Sequence, residues 1–217
     1  MIKVVIFDMD GLMFDTESAY SVLHKKMFSE RGKIFTDKIK WRLMGKRAHE
    51  VMEIIGKELG TGETTVDLLK KQDEELIELY KTSVAKLHGL DELIVFLNEK
   101  QIRKCIGTSS RRFLVDILLE RHGLRDEFEF VVSGDQVNSG KPDPEIYNLC
   151  VSKLGVSPAE CLVLEDSLNG IKAGLAAGCL TCAIPSEFTK NEDFTIANLI
   201  CKSLADPKIK NLILSGL

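Results

Sequence analysis

The feature that most constrains this sequence is a short apolar run that ends in two carboxylates. Val4–Phe7 is apolar throughout and rich in β-branched residues, a pattern typical of a strand buried on both faces of a parallel sheet. Asp8 and Asp10 follow at once, where that strand must leave the core. Unpaired buried carboxylates are costly, and side chains two apart in an extended segment point the same way. The pair therefore indicates a shared cation, although a polar strand exit without chemistry has the same pattern.

A long stretch with helical periodicity follows this strand. Four segments repeat apolar residues at helical spacing, and breaks near Gly32, Gly45 and Gly60 separate them. Strand-like alternation does not interrupt the stretch. Residues 17–87 are therefore predicted to form a helical bundle that is inserted after the first strand.

From Asp91 onward, helical and strand-like segments alternate. The predicted strands are residues 103–107, 128–132, 161–164 and 180–184. Such alternation favours parallel strands joined by right-handed crossovers. We therefore predict an α/β protein with a doubly wound parallel-sheet core, Rossmann-like, formed by residues 1–16 and 88–217. The stretch after Pro185 is too weakly patterned for a prediction.

This order of segments brings polar residues to one edge of the predicted sheet. In an open parallel sheet, ligands bind outside the carboxyl ends of the strands. The residues that follow the four successive strands are Asp8 and Asp10, then Thr108 and Ser109, then Lys141, then Glu165 and Asp166. One rim is therefore predicted to carry four carboxylates, two hydroxyls and a lysine.

This set of side chains suits phosphoryl transfer. Clustered acids raise one another's pKa values unless a cation is present, and Mg²⁺ is an oxygen-ligated ion that accompanies phosphate. Thr108 and Ser109 at a helix start favour an anion, and Lys141 can bind phosphoryl oxygens. One carboxylate can attack phosphorus to form an aspartyl phosphate, while a second acid transfers protons.

Each of these groups also has an ordinary structural explanation. Thr108 could cap a helix, Lys141 could be an exposed lysine, and the acids at 165 and 166 could cap the helix that follows them. Their convergence on one rim favours the catalytic interpretation.

The motifs resemble those of the haloacid dehalogenase superfamily, and the likeness covers essentially the whole chain. In order they are Asp8-x-Asp10-Gly11, Thr108, Gly140-Lys141-Pro142-Asp143-Pro144 and Glu165-Asp166-Ser167. The resemblance implies a nucleophile at Asp8 and a general acid/base at Asp10. It implies phosphate ligands at Thr108 and Lys141. The implied Mg²⁺ ligands are Asp8, the Asp10 carbonyl and Asp166, with Glu165 as a neighbour or ligand of the metal.

Within this superfamily the chain resembles the β-phosphoglucomutase-like branch, in which a helical cap lies between the first two motifs. The resemblance makes residues 17–87 the cap domain. Met44-Gly45-Lys46-Arg47 is the candidate loop through which the cap contacts substrate, with Gly45, Lys46 and Arg47 as the substrate-binding candidates. A plain turn between two helices is equally compatible with this segment.

An aspartate at position 10 argues, within the superfamily, for a phosphatase or a phosphomutase. In the mutase an arginine shortly after the cap glycine holds the far phosphate of a bisphosphate, but the aligned residue here is Ala48, with Arg47 displaced by one. Residues 7–17, 43–48 and 161–178 resemble phosphatases acting on pseudouridine 5′-phosphate and related sugar phosphates. The prediction is a Mg²⁺-dependent phosphatase for a small phosphorylated metabolite. A β-phosphoglucomutase-type sugar phosphomutase and an inactive binding protein are the alternatives.

Charge and hydropathy exclude several classes of partner. The net charge of -4 over 217 residues argues against sequence-independent binding of nucleic acid. The absence of a run of about 18 apolar residues argues against a membrane span. The N-terminus lacks a signal-like pattern, and the cysteines lie within apolar stretches, as buried thiols do. A cytoplasmic protein is therefore expected, and the sequence leaves open whether it is a monomer or a homodimer.

Overall fold

The computed structural model describes residues 1–43 and 48–215. The chain forms two compact units. We call Met1–Asp15 with Ala85–Leu217 the sheet unit, and Thr16–Val84 the helical unit. The substrate-binding candidates Gly45, Lys46 and Arg47 lie outside the described residues.

The sheet unit is built on parallel strands. They are β1 Val4–Phe7, β2 Arg103–Gly107, β3 Val131–Val132, β4 Cys161–Glu165, β5 Leu180–Ala183 and β6 Leu199–Ile200. Their order is β3-β2-β1-β4-β5-β6, and every neighbouring pair is parallel. Strand order reverses at β1, so the carboxyl end of β1 lies at the point where such sheets bind ligands. The predicted doubly wound α/β core with an inserted helical bundle is confirmed.

The register of the central strands brings their last residues to one level. Phe7 of β1 is aligned with Ile106 of β2 on one side and with Leu164 of β4 on the other. Asp8 donates its backbone N–H to the carbonyl of Leu164 at 3.0 Å. Asp8 and Glu165 therefore leave neighbouring strands side by side.

Helices cover the sheet and form the second unit. Those of the helical unit are α1 Thr16–Ser29, α2 Asp37–Leu43, α3 Ala48–Leu59 and α4 Thr65–Thr82. Those of the sheet unit are α5 Leu90–Glu99, α6 Arg112–Arg121, α7 Glu145–Leu154, α8 Leu168–Ala176 and α9 Pro207–Ser215. Helix α7 packs on β2 and β3, and α8 packs on β4 and β5. In the helical unit, α4 packs against α1 and α3.

The helical bundle was predicted to extend through residue 87, with its fourth helix ending near Leu87, but that helix, α4, stops at Thr82. The residues beyond it pair with the chain that follows β1. Leu87 donates its N–H to the carbonyl of Met13 at 2.8 Å, and Lys86 forms a β-bridge with Phe14. These backbone bonds to a distant segment replace the helical ones, which periodicity alone does not reveal.

Short elements account for the other differences from the predicted strands and helices. The third strand is limited to Val131–Val132, whereas residues 128–132 were predicted. The weakly patterned stretch after Pro185 contains β6 and α9, both of which were missed. Among the helices that the structure describes, none is long and apolar enough to cross a bilayer.

Candidate active site

A buried lysine joins two carboxylates at the end of β1. The ammonium group of Lys141 donates hydrogen bonds to Oδ1 of Asp8, to Oε1 of Glu165 at 2.6 Å, and to the carbonyl of Gly107 at 3.1 Å. The exposed fraction of the side chain is 6% for Lys141, 8% for Asp8 and 1% for Glu165. Three residues that are far apart in the sequence therefore share a charged cluster that is almost closed to solvent.

Burial and charge shift the ionisation of this cluster. Burial raises the pKa of Asp8 from its ordinary 3.8 to about 8; Lys141 opposes the shift, whereas Glu165 and Asp10 add to it. Burial alone would lower the pKa of Lys141, but the neighbouring carboxylates outweigh it and raise that pKa. Lys141 has the largest effect of any charge on Asp8, so the raised pKa of Asp8 is mainly a result of burial.

Glu165 is held by hydrogen bonds on both of its oxygens. Oε1 accepts from the Tyr147 hydroxyl at 2.7 Å as well as from Lys141, and Oε2 accepts from the backbone N–H and hydroxyl of Ser167 at 3.1 and 2.9 Å. A Cβ at Gly170 would overlap this carboxylate, so only glycine lets α8 lie this close. Glu165 is therefore fixed where it orients Lys141.

The carboxylates of Asp8, Glu165 and Asp166 could hold a metal ion. One oxygen from each lies within 4.8 Å of the others, and all three residues are buried. Gly11, at φ +70°, permits this approach because a Cβ there would overlap the Asp166 carboxylate. Buried anionic oxygens are the donors that Mg²⁺ prefers. The donor set therefore fits Mg²⁺.

Two hydroxyls contact the second aspartate of the motif. Oδ2 of Asp10 accepts hydrogen bonds from the Thr108 hydroxyl at 3.1 Å and from the Ser110 hydroxyl at 2.7 Å. Oδ1 of Asp10 is buried and accepts no hydrogen bond from the described residues. Ser109, a predicted phosphate ligand, is exposed. The structure thus brings Thr108 to Asp10, and Ser110 joins them although it was not predicted.

Sequence reasoning missed three further residues that brace this rim. Tyr147 and Ser167 bond to Glu165, and the Thr189 hydroxyl donates to the backbone carbonyl of Asp166 at 2.6 Å. Ser167 could have been identified from the sequence, because it belongs to the fourth motif and directly follows Glu165 and Asp166. Tyr147 lies on the buried face of α7, where the pattern of an aromatic residue indicates core. Thr189 follows β5 in the weakly patterned stretch.

The chain is similar to known phosphatases over most of its length. A family described as haloacid dehalogenase-like hydrolases matches residues 5–184. A phosphorylated carbohydrates phosphatase from Thermotoga maritima is 34% identical over 176 residues, which are 81% of this chain and 82% of that protein. A probable pseudouridine-5′-phosphatase from Drosophila melanogaster is 29% identical over 209 residues, which are 94% of this chain and 90% of that protein.

A solved structure has the same fold over the whole length. The crystal structure of a putative β-phosphoglucomutase from Thermotoga maritima aligns with a TM-score of 0.81 and 29% sequence identity, and the alignment covers 100% of both chains. The resemblance inferred from the motifs is therefore confirmed by both sequence and structure.

Proposed function

Since this chain belongs to the haloacid dehalogenase-like hydrolases, we propose that it is a Mg²⁺-dependent phosphatase that cleaves a small phosphomonoester through a phosphorylated Asp8. Relatives named as phosphatases of phosphorylated carbohydrates and of pseudouridine 5′-phosphate support this assignment. They also favour a sugar phosphate or a nucleoside monophosphate-like metabolite as the substrate class.

The contact between Lys141 and Asp8 is the observation that carries the proposal. It places a buried positive charge beside a carboxylate that is almost closed to bulk water. A phosphoryl group bound at Asp8 would lie next to the Lys141 ammonium group. Positive charge that is already in place in this way lowers the barrier to phosphoryl transfer. Glu165 accepts a hydrogen bond from Lys141 at 2.6 Å and so holds the ammonium group in this position.

The proposed reaction has two steps. In the first, a carboxylate oxygen of Asp8 attacks phosphorus, the bond from phosphorus to the ester oxygen breaks, and Asp10 gives that oxygen a proton. In the second, water attacks the aspartyl phosphate and gives a proton to Asp10. The bond between phosphorus and Asp8 then breaks, which releases inorganic phosphate and restores the carboxylate.

The metal has a defined place in this proposal. Asp8 and Asp166 would hold Mg²⁺, together with the Asp10 carbonyl that the family resemblance implies. Glu165 lies beside this set, but both of its oxygens already accept hydrogen bonds from protein donors. Bound Mg²⁺ supplies positive charge for the phosphoryl oxygens. Thr108 and Lys141 are the proposed phosphate ligands, with Ser109 contributing from the exposed side of the loop.

The helical unit is the proposed cap that selects the substrate, in keeping with the β-phosphoglucomutase-like branch. Ala48, where a mutase has an arginine, favours hydrolysis over phosphomutase activity. We also propose a cytoplasmic location, because all six cysteines are buried and free, as is usual in a reducing compartment.

A panel of phosphorylated metabolites tests the function. Pseudouridine 5′-phosphate, glycerol 3-phosphate and glucose 1-phosphate are incubated with the protein and Mg²⁺, and inorganic phosphate is measured with and without EDTA. We expect phosphate release that EDTA abolishes. Conversion of glucose 1-phosphate to its 6-isomer faster than phosphate release would instead establish the mutase alternative. An inactive chain that binds neither Mg²⁺ nor a fluoride mimic of the phosphoryl group would indicate a binding protein.

A further inference from the structure

The hydroxyls of Thr108 and Ser110 share one oxygen of Asp10. Both donate to Oδ2, and the bond from Ser110, at 2.7 Å, is shorter than the 3.1 Å bond from Thr108. The two residues lie in the same loop after β2, and Ser110 donates its backbone N–H to the Thr108 hydroxyl oxygen at 3.1 Å. The Thr108 hydroxyl therefore already accepts one hydrogen bond and donates another.

Thr108 cannot serve Asp10 and a phosphoryl group at the same time. A hydroxyl has a single proton to donate, and the proposed function assigns that proton to a phosphoryl oxygen. Once substrate binds, the bond from Thr108 to Asp10 must be given up. Ser110 then remains as the hydroxyl that holds Oδ2 of Asp10.

The backbone around Ser110 is fixed before any ligand binds. Its carbonyl accepts the N–H of Gly134 at 3.0 Å, and a Cβ at Gly134 would overlap the Ser109 carbonyl. Two residues further along, Arg112 donates its N–H to the Asp135 carboxylate at 2.7 Å. The loop after β3 thus anchors the loop after β2 at two points, so the Ser110 hydroxyl is presented to Asp10 at little entropic cost.

The other oxygen of Asp10 is the one left for proton transfer. Oδ1 is buried and has no hydrogen-bond donor among the residues that the structure describes. Holding Oδ2 through Ser110 restrains rotation of the carboxyl group. Oδ1 then stays in one orientation, which efficient general acid catalysis requires.

We infer that Ser110 is the positioning residue that orients Asp10 for proton transfer to the leaving group, an assignment that rests on the proposed phosphatase function. A positioned acid matters most when the leaving group is a poor one. Alkyl phosphates release a basic alkoxide oxygen that needs the proton, whereas 4-nitrophenyl phosphate releases a weakly basic phenolate. Loss of Ser110 should therefore slow alkyl esters more than the aryl ester.

The experiment compares Ser110→Ala, Ser110→Thr and the control Ser152→Ala, which alters an exposed serine on α7. We measure kcat/KM for glycerol 3-phosphate and 4-nitrophenyl phosphate, and the inhibition constant of inorganic phosphate. We expect Ser110→Ala to lose about tenfold or more on the alkyl ester beyond its loss on the aryl ester. Its affinity for inorganic phosphate should be unchanged, Ser110→Thr should restore most of the alkyl activity, and Ser152→Ala should match the wild type.

Equal losses on both esters, no loss on either, or a weakened affinity for inorganic phosphate would overturn the inference. The last of these results would make Ser110 a phosphate ligand. Circular dichroism spectra and thermal midpoints exclude misfolding, and the threonine variant keeps the test valid if the alanine variant is unstable. If the wild type does not hydrolyse glycerol 3-phosphate, the alkyl ester of the panel that it does hydrolyse takes its place, and a wild type that hydrolyses no ester of the panel would overturn the proposed function and the inference with it. If the wild type is active and only the results for the serine variants differ from those expected, the inference fails and the proposed function stands.

Discussion

The Lys141 ammonium group is hydrogen-bonded to the Asp8 carboxylate, and both side chains are buried. These residues are 133 positions apart in the sequence, and each follows a different strand of the parallel sheet. Burial of one charge without the other is costly. The pair therefore couples the stability of the sheet unit to the chemistry proposed at its rim.

Replacement of Lys141 by Met should abolish phosphatase activity and also destabilise the protein. The variant leaves the Glu165 carboxylate buried without its cation and removes the hydrogen bond to Asp8, and breaking a buried pair in this way costs about 3 kcal/mol or more. Urea unfolding followed by circular dichroism measures the loss. Lys190→Met, which breaks an exposed pair with Glu187, is the matched control and should change stability by less than about 1 kcal/mol. Equal stability of both variants would contradict the buried-pair assignment.

Replacement of Gly170 by Ala should displace the Glu165 carboxylate, against which helix α8 lies. The new methyl group would overlap the Glu165 carboxylate, and we expect a destabilisation of about 1 to 3 kcal/mol. Gly56→Ala is a suitable comparison because Gly56 also lies within a helix, α3, and its nearest neighbour is a methyl group of Leu68 at 3.2 Å. The thermal midpoint of Gly170→Ala should be lower than that of Gly56→Ala. A stable and fully active Gly170→Ala protein would show that the position of Glu165 is not constrained.

Stabilisation by Mg²⁺ should increase with pH. The pKa of Asp8 is raised to about 8 in the metal-free chain, so ionisation of Asp8 destabilises the folded protein as pH rises from about 4 toward 8. Only the ionised form binds a cation, and the thermal midpoint should therefore rise more on addition of Mg²⁺ at about pH 9 than at about pH 6.

Two variants separate this effect from general ionic strength. Asp166→Asn should lose most of the Mg²⁺-dependent shift, whereas Glu187→Gln, an exposed carboxylate outside the cluster, should retain it. A shift that is the same at both pH values, or that survives in Asp166→Asn, would contradict the proposed site.

The central strands and their acidic exits could be predicted from the sequence. Val4–Phe7 is an unbroken apolar run, and the rule that ligands bind at the carboxyl ends of parallel strands predicts that Asp8 and Lys141 share one rim. The observed contact between the two follows from that rule. The positions of the polar residues directly after the strands were therefore enough to predict that Asp8 and Lys141 lie together.

Side-chain partners within the rim could not be predicted in the same way. Ser109 and Ser110 are adjacent and chemically identical, and only the backbone geometry of the loop decides that the second one faces Asp10. Tyr147 has the pattern of a core residue because its ring is buried, while its hydroxyl reaches Glu165. A two-residue strand such as Leu199–Ile200 contains too few positions for any periodicity.

The helical unit should lose stability in acid through His24. Burial lowers the pKa of His24 from its ordinary 6.5 to about 4; a hydrogen bond with Gln72 opposes the shift and Lys40 adds to it. The unfolded chain takes up the proton first, so this stability is present above about pH 6.5 and is lost as pH falls toward 4. The difference between the folded and unfolded pKa of His24 corresponds to a loss of about 3 kcal/mol in the free energy of unfolding.

Comparison with His24→Leu isolates this contribution. The unfolding free energy of the wild type minus that of the variant should decrease as pH falls from about 7 to about 4.5, because only the wild type loses the contribution of a neutral His24. His49→Gln, an exposed histidine in the same unit, should follow the wild type at every pH. A constant difference between wild type and His24→Leu across this range would show that His24 is not held neutral by burial.

The most direct measurement of the proposed chemistry is detection of phosphate on Asp8. The protein is mixed with Mg²⁺ and a substrate from the panel, quenched in acid during turnover, and digested for peptide mass spectrometry. We predict one phosphoryl group on the peptide that contains Asp8, and neither the modification nor turnover in a folded Asp8→Asn variant. Hydrolysis by the wild type without label on that peptide, or hydrolysis by Asp8→Asn, would contradict the assignment of Asp8 as the nucleophile.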